Sequence, residues 1–370
     1  MGILLMFICI LLLISIQDKI YKKNVFKNLD YKCYFNKEQA VEGEEIEFIE
    51  EISNRKWLPV PLFKSEITCG RWLDFAKSQS TVADEKRFIT SFFMLRSFKR
   101  VTRHWKVTCL KRGEYDINKV ILVSADLLGK SIFSQVVNMQ AKILVLPKPL
   151  GDEELLVIPR YLSGDNVAKR HLVEDPFYIS GVRQYRDGDS MNKISWSATA
   201  RQQEMMVYNN DCTSKQNATI ILNMQSREFE HNEVIDKSKI ENAIRVAAAL
   251  FDTALATNMP ISFLCNSSLE NTNENIITNE YFGEEYTKSL FRMLSRLQLR
   301  STGYFSDFLE SIYSKINTTD IVIVTCYIND LMLDFAREKY IVGTNVRFIC
   351  IGKPLDNVNF SDCDVFFMDL

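Results

Sequence analysis

The chain has 370 residues, 46% of them apolar and 25% charged, which suits packed cores and suggests two or three domains. A net charge of −2 supplies no long-range field for a polyanion, so nucleic acid is not an expected partner. The three histidines (His104, His171, His231) are far apart, and the nine cysteines form no C-x-x-C, so neither zinc nor a disulfide framework is expected.

The chain opens on "MGILLMFICILLLISI", an uncharged run followed by Lys19, Lys22, Lys23 and Lys27. A helix over these residues spans roughly 24 Å, and Gln17 with a snorkelling Lys19 extends it toward a ~30 Å hydrocarbon core. The run lacks the basic start and small-residue cleavage site of a signal peptide. Residues 1–17 are therefore expected to be a single membrane helix. By the positive-inside rule the lysines place the body in the cytoplasm, which agrees with unpaired thiols.

Residues 29–148 carry strand signals. "EEIEFIEEIS" partly alternates, and "HWKVTCL" sets Trp105, Val107 and Cys109 on one face. "KRGEY" is a turn, while "KVILVS" and "AKILVLP" are short apolar strands; the pattern predicts a β-sandwich. "LLGKS" lacks the first glycine of a phosphate loop, and the strand-like "SIFSQVVNM" follows it, so a strand-to-strand turn is expected there. Pro147 and Pro149 end the domain, and residues 149–212 are a linker and a charged segment.

From about residue 213 to residue 370 buried strands alternate with helices. "ATIILNM", "PISFLC", "DIVIVTC" and "VRFICIG" read as strands, and "SKIENAIRVAAALFDTALAT", "EEYTKSLFRMLSRLQL" and "NDLMLDFAREKY" as helices. That alternation predicts a doubly wound, mainly parallel α/β sheet.

The intervening stretch, "YRDGDSMNKISWSATARQQEMMVYNND", crowds Arg183, Arg186, Asp187, Asp189, Trp196 and Arg201 into about twenty positions. Asp-Gly marks a turn, and Asp189 or Ser190 is placed to cap a short helix through "MNKISWSATAR". "MMVYNN" reads as a strand. In a structural reading, Asp175 or Asp187 pairs with one of the arginines and Trp196 packs a joint between domains. In a functional reading, Arg183, Arg186 and Arg201 clamp a phosphate or carboxylate. The structural reading is the expectation adopted. Asp187 and Asp189 are expected to be turn and ion-pair residues and not an acid–base pair.

These residues also carry a resemblance. "GVRQYRDGDSMNKISWSATAR" resembles the signature of domain-of-unknown-function family 58, with Arg183, Tyr185, Gly188, Asp189, Ile194, Trp196, Ala200 and Arg201 at matching positions. "AVEGEEIEFIEEISNRKWLPVP" and "LKRGEYDINKVILVSADLLGKS" are similar to its β-domain segments. The resemblance implies a membrane-attached protein whose α/β domain is von Willebrand factor A-like, and a MoxR-type AAA+ ATPase as partner. Two departures stand out. Family members usually start with two membrane helices, and this chain has room for one. The A-like domain normally holds a divalent cation with D-x-S-x-S after its first strand. Here Asn223, Gln225 and Arg227 stand at the Asp and Ser positions, and "IVIVTCY" lacks the later Asp. A hard cation wants anionic oxygens, so no metal is expected, and no cofactor.

The function expected is a non-enzymatic, membrane-anchored adaptor. It would bind through loops at the carboxyl ends of the strands, including 223–228 and 325–330. The alternative is an anion sensor or enzyme built on Arg183, Arg186 and Arg201. An extracellular adhesion module is disfavoured by the lysine flank and the odd number of cysteines.

Overall fold

The computed structural model describes residues 2–76, 78–126, 129–151, 174–186, 189–212, 217–230, 232–269, 272, 274–352 and 363–369. The chain forms two compact units, Met1–Lys148 with Lys288–Leu297, and Pro149–Thr287 with Gln298–Leu370.

The first unit begins with helix α1 (Gly2–Asn24). It runs past residue 17, where the apolar run ends, because Asp18 to Lys23 include good helix formers and no breaker. Leu4–Asn24 is long and apolar enough to cross a membrane, with mean hydropathy 2.0 and side chains facing outward. Its last turn is different: Tyr21 and Val25 are buried in the next domain.

That domain is a two-layer β structure. One sheet has the order β1 (Leu29–Phe35), β3 (Glu45–Asn54), β8 (Arg100–Cys109), β5 (Leu73–Phe75). The other has the order β2 (Gln39–Val41), β10 (Ile132–Leu146), β9 (Gly113–Ala125), β4 (Val60–Gly70), β7 (Lys86–Leu95), β6 (Gln79–Ala83). Every pairing is antiparallel except β2 with β10. The alternation read in "EEIEFIEEIS" sends Ile46, Phe48 and Ile52 inward. Phe48 packs between Phe35 and Phe75 at 5.1 and 5.5 Å between ring centres. Of "LLGKS", Leu127 and Leu128 lie outside the described residues; between β9 and β10, Asp126 Oδ1 accepts the N–H groups of Lys130 and Ser131.

In that apolar core lies Glu50, wholly buried. Its carboxylate accepts from Tyr31 Oη (2.9 Å) and Trp105 Nε1 (2.6 Å) of its own sheet. From the facing sheet it accepts the hydroxyls of Ser65 and Ser91, both at 2.8 Å. Four donors from two layers meet on one side chain, so desolvation of the carboxylate is offset and the sheets are fixed in mutual register. At the turn between β8 and β9 the buried Arg112 donates to the carbonyl oxygens of Leu294 (2.5 Å), Ser295 and Leu297 (both 3.3 Å). Those carbonyls lie at the end of α4 (Glu284–Arg296), where helix carbonyls lack N–H partners from the next turn, and a cation there also meets the negative end of the helix dipole. Arg296 Nε adds a 2.9 Å contact to Glu114.

The second unit opens with an antiparallel hairpin of β11 (Glu174–Gln184) and β12 (Met206–Cys212). Its main sheet has the order β15 (Ile276–Ile277), β14 (Ile261–Cys265), β13 (Ala218–Leu222), β16 (Asp320–Thr325), β17 (Asn345–Ile351), β18 (Asp364–Met368). All pairs are parallel except β14 with β15. β13 and β14 are buried at every position, as strands covered on both faces must be. Ile221, Leu264, Ile321 and Ile323 pack with α5 (Phe305–Ile312) and α6 (Asp330–Ile341). The alternate residue Phe263 meets Phe251 of α3 (Lys237–Ala256) edge-on at 5.3 Å, so α3 covers the other face. Asp236 caps α3 through the N–H of Lys239, and Asn329 caps α6 through that of Met332.

Replacing Glu50 by Ala strands four donors, each costing about 1–3 kcal/mol when left buried and unpaired. Glu50→Ala is expected to lower the unfolding free energy by at least about 3 kcal/mol in chemical denaturation. Glu50→Gln should cost less, because serine hydroxyls can turn to accept from the new amide while the Trp105 N–H cannot. Equal stabilities of wild type and Glu50→Ala would contradict this account.

Candidate functional site

Strands β13 and β16 lie side by side, with Leu222 opposite Val324. The chain leaves β13 for α3 on one face of the sheet and β16 for α6 on the other. The crevice opened by such a reversal is where α/β sheets commonly place their sites. Residues 223–227 and 325–328 meet there.

Asn223, wholly buried, gives its N–H to the Val324 carbonyl at 2.9 Å. Its Nδ2 donates to Thr325 Oγ1 (3.0 Å), and its Oδ1 accepts from Gln225 N (3.0 Å) and Asn266 Nδ2 (3.3 Å). Asn266 Oδ1 in turn accepts from Met224 N at 2.7 Å. Gln225 is equally buried: its Oε1 accepts from Phe305 N and Tyr327 Oη, both at 2.9 Å, and its Nε2 donates to the Glu230 carbonyl. An amide both donates and accepts, so Asn223 and Gln225 close a network that a carboxylate would close only with a cation.

The carboxylate here belongs to Glu230, a residue that sequence reasoning did not single out. It is buried and accepts from Ser226 N, Ser226 Oγ (3.1 Å), Arg227 N (3.2 Å) and Ile235 N. The loop after β13 is thus folded around its own acidic side chain. At the tip of that loop Phe229 stands 84% exposed, and Ile235 follows at 65%.

Beside the network a crevice of about 300 Å³ is lined by Arg227, Glu228, Lys239, Cys326, Tyr327 and Cys350, among others. Burial pushes the Cys326 thiol and the Tyr327 hydroxyl up to about 12, and the Cys350 thiol to about 11. Each therefore holds its proton at neutral pH, and neither cysteine is a poised nucleophile. The oxygens at the Asp and Ser positions do not fit a hard dication, since Asn223 and Gln225 direct theirs to N–H and O–H donors. Among the described residues no three His, Cys, Asp or Glu side chains are grouped to hold a metal.

The signature segment is organised differently from the expectation. Gly188 and Asp187 lie outside the described residues. Asp189 does not cap a helix. Its carboxylate takes both prongs of Arg183, at 2.6 and 2.7 Å, and the N–H of Arg186 at 2.8 Å. Those bonds hold the Asp189 carboxyl down to about 2, the Arg183 guanidinium first and the Arg186 N–H second. A 3-10 turn (Met191–Lys193) and helix α2 (Trp196–Gln202) follow, the latter starting at Ser195 without a side-chain cap. Thr199 supplies the local closure instead, its hydroxyl accepting from Met206 N at 3.0 Å. Ile194 is buried and bridges to Val207; Tyr185 is half-buried and pairs its N–H with Met205. Trp196 is 71% exposed, because Ile194 and Ser195, just before α2, are the residues turned inward. Arg186, Ala200 and Arg201 are exposed. The guanidinium fork of Arg183 is thus engaged with Asp189 inside the segment.

Residues 181–349 match the family model described as "Protein of unknown function DUF58". No curated protein matches the chain. Among solved structures, it is similar at 12% identity to domains D2 and D3 of the major pilin SpaD from Corynebacterium diphtheriae, covering 30% of this chain and 50% of that one, with a TM-score of 0.23. It thus spans about half the length of that pilin fragment. A non-cellulosomal cohesin from the archaeon Archaeoglobus fulgidus is similar at 12% identity, over 34% of this chain and 96% of that one, with a TM-score of 0.23.

Two outcomes follow from this geometry. Calorimetric titration of the full chain with Mg²⁺ or Ca²⁺ should be flat to millimolar metal; a micromolar, saturable heat abolished by Asn223→Ala would contradict the closed amide network. The Asp189 carboxyl, lowered from 3.8, contributes stability that is present above about pH 4 and lost as pH falls toward 2. Carboxyl-carbon NMR should show its midpoint near 2 in the wild type. Arg183→Gln should move that midpoint back up, and an unmoved midpoint would separate the two residues.

Proposed function

We propose that this protein is a membrane-anchored adaptor without chemistry of its own. It presents a von Willebrand factor A-like α/β domain, from the cytoplasmic side, to a MoxR-type AAA+ ATPase. The sheet supports the A-like reading. Counted from β13, its order is 3-2-1-4-5-6 with the third strand antiparallel. The lysines after the apolar run support the cytoplasmic side.

The observation that carries the adaptor reading is Phe229. A large aromatic side chain on the tip of a loop is costly to display unless something covers it, and this loop is not loose. Glu230 ties together the backbone of Ser226, Arg227 and Ile235 directly beneath it. An anchor already held in place loses little freedom on docking. Burying it recovers about 1.5–3 kcal/mol. Arg227, Glu228 and Lys239 around the adjoining crevice carry both signs of charge, which suits a protein surface better than a single anion. Recognition there works without a bridging cation, since the Asn223 network is closed on itself.

Full chain in nanodiscs should retain a MoxR-type ATPase from the same genome in a pull-down. Phe229→Asp should weaken that retention by about tenfold or more while leaving the melting temperature unchanged. Failure of the wild type to retain the ATPase, or undiminished retention by Phe229→Asp, would remove the support for this function.

A further inference from the structure

The end of the sandwich nearest α1 is built from several turns brought to one pole. Leu29 begins β1 opposite Asn54, the end of β3, and Ser53 lies opposite Arg100, the start of β8. In the other sheet Val60 lies opposite Leu95, and Ala125 opposite Ile132. Hydrogen bonds then lock these turns to the helix. Tyr21 Oη donates to the Pro59 carbonyl (3.0 Å), and the buried Lys56 ammonium donates to the Val25 carbonyl (2.8 Å). Asn54 Nδ2 donates to the carbonyls of Leu58 and Arg96 (2.9 and 3.1 Å), and Phe98 N to that of Lys56 (3.3 Å).

What this braced pole displays is apolar. Trp57 is 67% exposed and Phe98 69%. Beside them a crevice of about 400 Å³ is lined by Leu62, Phe92, Met94 and Ile132, each more than half exposed. A soluble surface rarely gathers so many large apolar side chains without a partner. Around them stand exposed cations: Lys22, Lys23, Lys27, Arg96, Lys99 and Lys130.

The occupant follows from the helix. The 21 residues Leu4–Asn24 rise roughly 31 Å, about the thickness of a hydrocarbon core. A span of that length ends at the turn where Tyr21 and Val25 dock on the sandwich, with no linker between. The pole therefore sits at the level of the lipid headgroups. Tryptophan and phenylalanine mixed with Lys and Arg are the side chains that favour that level. We infer that this pole is a second membrane contact, in which Trp57, Phe98 and the Leu62–Met94–Ile132 edge enter the interface of an anionic bilayer beside the anchor. The inference rests on the membrane reading of α1 and extends it from a tether to a seat that fixes the orientation of the body.

The test uses the full chain in phosphatidylcholine–phosphatidylserine vesicles whose acyl chains are brominated near the carbonyl, with tryptophan emission as the readout. Flotation after an alkaline wash is measured on the same sample. The chain is expected to float, and bromolipid is expected to quench its emission. Trp57→Phe should remove more than half of that quenching, whereas Trp196→Phe should leave it in place. Phe98→Asp with Leu62→Asp should keep flotation while reducing quenching of Trp57 by more than half. A chain that does not float overturns both the anchor and the seat. A chain that floats but loses no quenching in Trp57→Phe overturns the seat alone. So does Trp57 shielded from bromolipid in a dimer that Phe98→Asp dissociates, which would assign the pole to a second copy of the chain.

Discussion

Where neighbouring parallel strands send their chains to opposite faces of a sheet, the backbone and side-chain groups at the parting point face a crevice and must find partners. That constraint governs the carboxyl ends of β13 and β16. One solution is to gather carboxylates and hydroxyls around a cation. This chain instead uses amides that are donor and acceptor at once: Asn223 joins Thr325, Gln225 and Asn266, and Gln225 reaches Tyr327 and the start of α5. A closed network of this kind holds its segments together through its own hydrogen bonds, so the surface above it is shaped in advance.

The same device recurs with two buried carboxylates. Glu50 in the sandwich and Glu230 in the loop after β13 are both surrounded by neutral donors, hydroxyls and an indole in one case, mainly backbone N–H groups in the other. In each the desolvation of the charge is offset by hydrogen bonds converging from separate segments, and the geometric result is a fixed relation between those segments. For Glu50 they are two sheets; for Glu230 they are the two sides of one loop. The rigidity that displays Phe229 and the rigidity that holds the helix-proximal pole both depend on such convergence.

The architecture was largely legible because it is written in periodicity. Alternation gave the inward faces of β3 and β8, and the unbroken apolar runs of β13, β14, β16 and β17 marked strands covered on both sides. "LNMQSRE" was legible as the loop after the first strand of the α/β sheet, but the network that Asn223 and Gln225 make there was not. What periodicity could not carry was partner choice. Asp189 precedes a helical stretch, as a cap would, yet a guanidinium six residues earlier binds it more strongly than N–H groups that a 3-10 turn leaves misplaced. Trp196 carries the bulk of a core residue, but which side of α2 faces inward is set by the Ile194–Val207 bridge across the hairpin. Glu230 gave no signal, since its four donors are gathered by a loop whose shape no local pattern specifies. Glu50 sat among other glutamates of the same strand, and only the facing serines distinguish it.

Arg112 couples folding to the order of synthesis. The carbonyl groups it meets lie 182 to 185 residues later in the chain. At roughly 5–20 residues per second a ribosome needs on the order of 10–35 s to cover that distance. Throughout that interval the guanidinium of a nascent sandwich has no helix end to meet and must remain hydrated. The first unit is therefore not finished when its last strand emerges. Its closing hydrogen bonds wait for a segment that emerges only after β13 and β14 of the following sheet. Translation thus imposes a sequence of events in which the pole of the sandwich next to α1 can set early, while the opposite pole sets late.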